Sequence, residues 1–561
     1  MSGRSLLRSI APLLVLALAA CASPGDPHAA KSDPYRTIYF GGPIVSMAGS
    51  APETAEAVIT RDDRIEFVGS LEEASSRLDP SVLRVDLKGR TLAPGFIDGH
   101  VHFGVQAQTK GFEVIDPWEF ANAETFIDHV GNVARNTKPG EWIIVFGFDR
   151  VLVPPFRNLT KDDLDRASVD HPILVLYLGL HWATANSRAL DLVGIDRNTA
   201  THLPGGGVFF KDDEGEPTGL ATETAVFEFV HHLPASGPPG DVAPFHAVGQ
   251  EMASYGVTTF ADRASGAGGG TNEIALYKAL AHDPTFPQRI VATPLYQLLP
   301  ELDAPTPWDG FFQATQIKLL IDASLVGGTS ATLEPQIGGS LGNLNYPAED
   351  YRRALREAAA KGFATATHTM GDRGHRVLLE VFESLGDEVL SVGRHSIEHS
   401  ALVAEADIPR IARLGLSVSH LAPMVRVHGD AMSEHVYGPE RTERLYDSAR
   451  MRRAGVNVAL HSDAPIFAPS PLTFVSVAAN RITTSGKQRG EPISVYEALR
   501  GITIEAAHHL SLEKEIGSIE AGKLADFVVL DRNPLDTPPS EIEEIKVLQT
   551  ILGGRTTYPR P

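Results

Sequence analysis

Short apolar runs alternate with amphipathic stretches along much of the chain, and one phrase recurs in the second half. Met252-Ala-Ser-Tyr-Gly256 leads into Val-Thr-Thr-Phe-Ala-Asp262, and Ala358-Ala-Ala-Lys-Gly362 leads into Phe-Ala-Thr-Ala-Thr-His368. Ile411-Ala-Arg-Leu-Gly415 leads into Leu-Ser-Val-Ser-His420, and Met451-Arg-Arg-Ala-Gly455 into Val-Asn-Val-Ala-Leu-His461-Ser-Asp463. Each phrase reads as the end of a helix, a glycine suited to the left-handed C-cap, and a buried strand. Such units in series predict a parallel α/β protein. Every one of these strands closes on a His or an Asp.

Spacing extends the pattern. A (β/α)8 barrel of about 250 residues allots about 31 to each strand–helix unit. From His368 to His399 is 31 residues, and from His399 to Asp463 is 64, two units with Ser-Val-Ser-His420 as the strand between. Counting back places strand 4 at 316–322, strand 3 at 289–293 and strand 2 at 257–261. Pro94-Gly-Phe-Ile-Asp-Gly-His100-Val-His102 supplies strand 1. The predicted fold is α/β, a distorted TIM (β/α)8 barrel over 94–512. The link from strand 1 to strand 2 far exceeds one unit. Residues 106–245 hold their own strand-like runs at 142–146 and 173–177, and are expected as an inserted α/β subdomain over the barrel mouth. Short alternating segments in 35–93 and 513–561 predict a small β-sandwich built from both termini.

The ends and the bulk composition refine this picture. Arg4 and Arg8 precede an apolar run from Ile10 to Ala20, too short to span a bilayer and suited to a signal peptide over 1–20. The run ends Leu18-Ala-Ala-Cys21, which resembles a bacterial lipobox, and Cys21 is the only cysteine. Lipidation at Cys21 is therefore expected, followed by a flexible tether over 21–34. By the same resemblance, Ala22 directs the protein to the periplasmic face of the outer membrane in a bacterial cell envelope. The lipid anchor is then the only membrane contact. A formal charge of −21 over 561 residues argues against nucleic-acid binding. The expected partner is a small-molecule substrate, with a homodimer left open.

The strand ends carry the candidate chemistry. His100 and His102 are two apart, so on a strand both imidazoles face the same side. Burying two histidines without partners is costly, whereas imidazole is the commonest metal ligand. Lys318, His368, His399 and Asp463 end further predicted strands, at the barrel face where such enzymes keep their chemistry. Imidazole and carboxylate donors suit zinc, with manganese, iron or nickel also compatible.

These motifs together resemble the amidohydrolase superfamily. Pro-Gly-Phe-Ile-Asp-Gly-His100-Val-His102, Lys318 with Asp322 four later, Thr-His368-Thr-Met-Gly-Asp372-Arg, Ile-Glu-His399 and Ser-Asp463-Ala-Pro carry the likeness. It looks strongest to amidohydrolase family 3, the branch that includes N-substituted formamide deformylases. The resemblance implies two divalent metal ions, with His100, His102 and Asp463 on the more buried one and His368 and His399 on the other. It implies that Lys318 is N-carboxylated and bridges them, since a carbamate is anionic where an ammonium would repel cations. Asp463 would shuttle a proton from water to the leaving nitrogen, giving a hydrolase of non-peptide C–N bonds: amides, formamides or cyclic amides.

Three departures bear on specificity. His461 stands where the resemblance leads one to expect a small residue, Ser396 replaces an arginine before Ile-Glu-His399, and the segment after Lys318 differs. His461 and His420 read equally as polar groups contacting substrate or as satisfied core histidines, and His181 of the insertion is a candidate substrate contact. Two rival functions stay open: a one-metal deaminase or esterase on the same scaffold, and a non-catalytic solute-binding lipoprotein.

Overall fold

The computed structural model describes residues 36–79, 82–203, 206–230, 232–233 and 241–559. The segments expected as a signal peptide and a tether, with Cys21, lie outside them. Among the described residues, no helix is long and apolar enough to cross a membrane.

Eight parallel strands follow one another in chain order. They are β1 (Phe96–Val101), β2 (Val257–Ser265), β3 (Arg289–Pro294), β4 (Gln316–Leu320), β5 (Ala364–Thr369), β6 (Ser396–His399), β7 (Ser417–His420) and β8 (Val458–Leu460). They form two parallel sheets rather than one continuous ladder. β1, β2 and β3 pair in order, and β4 through β8 pair in order. A two-residue strand, Phe312–Gln313, takes up the β3 ladder opposite Ile290 and Val291. β4 therefore meets β3 only at the single bridge Leu295–Lys318, and β1 meets the segment after β8 only at Val101–Ala464.

The helix–glycine–strand phrases explain how each strand begins. Gly256, Gly362, Gly415 and Gly455 all take positive φ, from 67° to 86°. At Gly256 a side chain would also collide, since a Cβ would sit 2.8 Å from the Phe96 ring and 2.9 Å from Val528. Alternation along the strands then sorts the side chains. Leu319, Ile397 and Val418 pack outward with Tyr351, Leu355, Leu378 and Phe382 of the surrounding helices. Lys318 and His368 point the opposite way, and Thr367 between the inward groups bonds the Tyr351 hydroxyl at 2.9 Å.

Two further sheets flank this core. Residues between β1 and β2 build a six-stranded sheet that includes Ile143–Phe148, Ile173–Tyr177, Trp182–Ala185 and Pro217–Thr222. Both ends of the described chain contribute to an eight-stranded sheet in which Thr91–Pro94 lies between Arg36–Val45 and Phe527–Leu530. A buried ion pair ties this sheet to β3: Arg289 Nε and Nη2 donate to the two Asp526 oxygens at 2.7 and 2.8 Å.

Candidate metal centre

His100 lies at the end of β1 and His102 directly follows it, and the chain after β8 brings Asp463 against both. The Asp463 Oδ1 lies 3.3 Å from His100 Nε2 and 3.1 Å from His102 Nε2, while its Oδ2 lies 3.9 Å from His399 Nδ1. The His399 ring is 4.5 Å from that of His100 and 4.7 Å from that of His368, between centroids. His399 and Asp463 both adopt left-handed backbone, φ 69° and 58°, a conformation that costs a non-glycine residue about 1–3 kcal/mol. Strain of this kind persists only where surrounding contacts impose it. Here it turns both side chains inward.

Burial decides the charge states. It holds the imidazoles of His100, His368 and His399 well below their ordinary value, so all three are neutral and free to act as ligands. Burial works against the Asp463 carboxylate, but His399, His100 and His102 around it hold it well below the usual range. Lys318, also buried, is pushed down to about 8.

A cavity of about 170 Å³ opens above the cluster, with His102, Lys318, His368, His399 and Asp463 in its floor and Leu176, Leu180, Val226, Phe227 and Leu295 in its walls. His181 lines it too, its ring 5.1 Å from that of His368 and its Nδ1 2.9 Å from Glu223 Oε2. Burial pulls the His181 imidazole down, yet the Glu223 carboxylate outweighs this and the net direction is up.

A sequence profile of the amidohydrolase family matches residues 84–558. The chain belongs to the amidohydrolase family. It is therefore a hydrolase acting on C–N bonds. It is 26% identical over 527 residues to an N-substituted formamide deformylase of Arthrobacter pascens, covering 90% of this chain and 95% of that one. It is 27% identical over 548 residues to a putative amidohydrolase, YtcJ, of Bacillus subtilis, covering 93% and 99%. In fold it is similar to an uncharacterized metal-dependent hydrolase of Pyrococcus horikoshii, with a TM-score of 0.70 at 20% identity over 90% of this chain and 99% of that one.

For an amidohydrolase, the test of a metal site is whether its donor atoms want an ion. His100 Nε2, His399 Nδ1 and Asp463 Oδ1 are buried without hydrogen-bond partners. Native interiors rarely leave such atoms unpaired. Imidazoles and a carboxylate converging in this state fit a divalent metal.

Behind the amidohydrolase ligands lies a network that motif reading did not find. Glu398 accepts from His100 Nδ1 at 2.9 Å, Ser419 Oγ at 2.8 Å, Ser396 Oγ at 2.6 Å and His509 Nε2 at 3.1 Å. Arg263, fully buried, approaches it at 3.5 Å and bonds the Gly99 carbonyl, Thr293 and Gln316. Burial would raise the Glu398 carboxyl, but Arg263, His509 and His100 hold it well below its ordinary range. Ser396, where an arginine was expected, thus serves Glu398. Asp322 accepts the backbone N–H groups of Met370, Gly371 and Ala331 at 2.8, 2.7 and 3.0 Å, fixing the loop that follows His368.

His461 and His420 are not on the cavity wall. His461 stacks beneath His100, ring centroids 4.7 Å apart. His420 lies further off, with Nδ1 bonded to Ser448 Oγ at 2.8 Å.

Proposed function

We propose that this enzyme hydrolyses the C–N bond of an uncharged amide, formamide or cyclic amide, with Asp463 as proton shuttle. One observation carries the reading: a carboxylate and neutral imidazoles with unpartnered donor atoms converge at the floor of a mostly apolar cavity. Among the described residues that line the cavity, Lys318 is the only lysine or arginine and His181 is already paired with Glu223, which favours a substrate without an anionic group.

His100, His102, Lys318, His368, His399 and Asp463 would hold two divalent ions, zinc by the chemistry of the donors. When bound, such ions lower the pKa of water toward neutrality and polarise a carbonyl. Asp463 accepts a proton from the attacking water and passes it to the departing nitrogen. His181, held by Glu223, donates toward the carbonyl oxygen as negative charge builds there. Lys318, largely deprotonated above about pH 8, is able to take up carbon dioxide as a carbamate.

The same reading closes the two parallel sheets into a distorted barrel through the Leu295–Lys318 and Val101–Ala464 bridges. It places 106–245 over the barrel mouth and anchors the protein through lipidated Cys21 on the periplasmic face of the outer membrane.

The test is metal analysis joined to a screen of formamides, N-acyl amino acids and cyclic amides with wild type and Asp463→Asn. Expected are bound metal in both, turnover of uncharged amides by wild type, and a fall of about 10²–10⁴-fold in kcat for the variant. A wild-type chain that binds no metal overturns the reading.

A further inference from the structure

His461 follows β8 directly, and its backbone N–H donates to the His420 carbonyl at 3.1 Å. Its ring stacks on His100 with 18° between the planes and lies 5.1 Å from that of His399. The side chain is fully buried, and neither ring nitrogen has a hydrogen-bond partner. A buried imidazole in that state loses its bonds to water and gains nothing in return. A small side chain would serve packing at this position without that penalty.

The surroundings supply a reason for an imidazole. His100 Nε2, His399 Nδ1 and Asp463 Oδ1 are unpartnered as well. One ligand atom from each of His100, His399, His461 and Asp463 falls within 4.8 Å of every other. Ser462 turns away to bond Asp98 Oδ2 at 2.6 Å, while His461 and Asp463 offer ligand atoms to the same centre. Three imidazoles and a carboxylate form a donor set suited to zinc.

We infer that His461 is a direct ligand of the deeper metal ion, beside His100 and Asp463. The inference rests on the two-ion reading above.

The experiment compares metal-free wild type, His461→Ala and His461→Gln, each titrated with Co²⁺ and followed by calorimetry and visible absorption. Wild type is expected to take two ions per chain. Both variants should keep one tight site and lose the other, its affinity falling by about 100-fold or more, with altered Co²⁺ bands. Cooperative unfolding of the metal-free variants, with a wild-type circular-dichroism spectrum before heating, separates ligand loss from misfolding. If His461→Ala does not fold, His461→Gln decides. Variants with wild-type stoichiometry, affinity and spectrum overturn the inference. So does His461→Gln binding like wild type where His461→Ala fails, since hydrogen bonding rather than ligation would then be at work. A wild type that binds no metal overturns the two-ion reading itself, and is seen before any variant is compared.

Discussion

His100 Nδ1 lies 2.9 Å from Glu398 Oε2, so Nδ1 donates and the free Nε2 is the nitrogen turned toward Asp463. A carboxylate behind a ligating histidine fixes its tautomer and raises its basicity. Glu398→Gln should therefore weaken metal binding by about 10–100-fold. It also strips the charge facing buried Arg263, so the fold should lose about 3–5 kcal/mol. Metal titration and denaturant unfolding of the variant check the two effects separately.

Arg289 and Asp526 predict a different outcome. Their paired bonds join β3 to the sheet built from both ends of the described chain, well away from the cavity. Asp526 also accepts the Gly553 N–H at 2.8 Å. Asp526→Ala leaves a buried guanidinium unpaired and should cost about 3–5 kcal/mol. Its kcat and KM at a temperature where the variant stays folded should match wild type. An unchanged unfolding midpoint would show that the pair contributes nothing.

Lys318 gives a pH dependence. Burial lowers its folded pKa to about 8, against about 10.4 in an unfolded chain. In metal-free, uncarboxylated protein both states are protonated below about pH 8, and the cost of burying the ammonium is then fully expressed. Between about 8 and 10.4 only the folded state has released its proton, so stability rises with pH across that window. Only the free amine combines with carbon dioxide. Activation of the metal-loaded enzyme by added bicarbonate should therefore climb toward pH 8 and level off above it. Lys318→Met should abolish both the stability slope and the activation, as read by unfolding and by initial rates.

Much of this was legible in the chain because the ligands obey simple periods. His100 and His102 are two apart at the end of β1, His368 and Asp463 each close a helix–glycine–strand phrase, and Lys318 and His399 fall at the unit spacing from them. Glu398 escaped because alternation fails beside it: the left-handed backbone at His399 lets neighbouring residues both face inward. Arg263 lies on a strand that continues to Ser265, past the predicted end at residue 261. His509 comes from a short helix, Ile504–His509, with no periodic signature. Glu223 reaches His181 only through the antiparallel register that sets Trp182 opposite Thr222, and register between distant segments is not written in local pattern. The gap between β3 and β4 has a similar origin, in the two residues Phe312–Gln313 that pair with β3 ahead of β4.

The His181–Glu223 pair carries the last prediction. Burial alone would keep His181 neutral, and the Glu223 carboxylate 2.9 Å away reverses that, so the imidazolium persists to higher pH than usual. If that cation donates to the carbonyl oxygen, kcat/KM falls as pH rises through its pKa. Glu223→Gln removes the opposing charge and leaves burial unopposed, so this falling limb should move to lower pH. His181→Gln should flatten the limb and lower kcat/KM by about 10²–10³-fold, the usual loss for one donor to a developing oxyanion. Metal content should be unchanged in both, because neither side chain belongs to the unpartnered set around Asp463. Measured pH profiles with the same alkaline limb in all three proteins would remove His181 from the reaction.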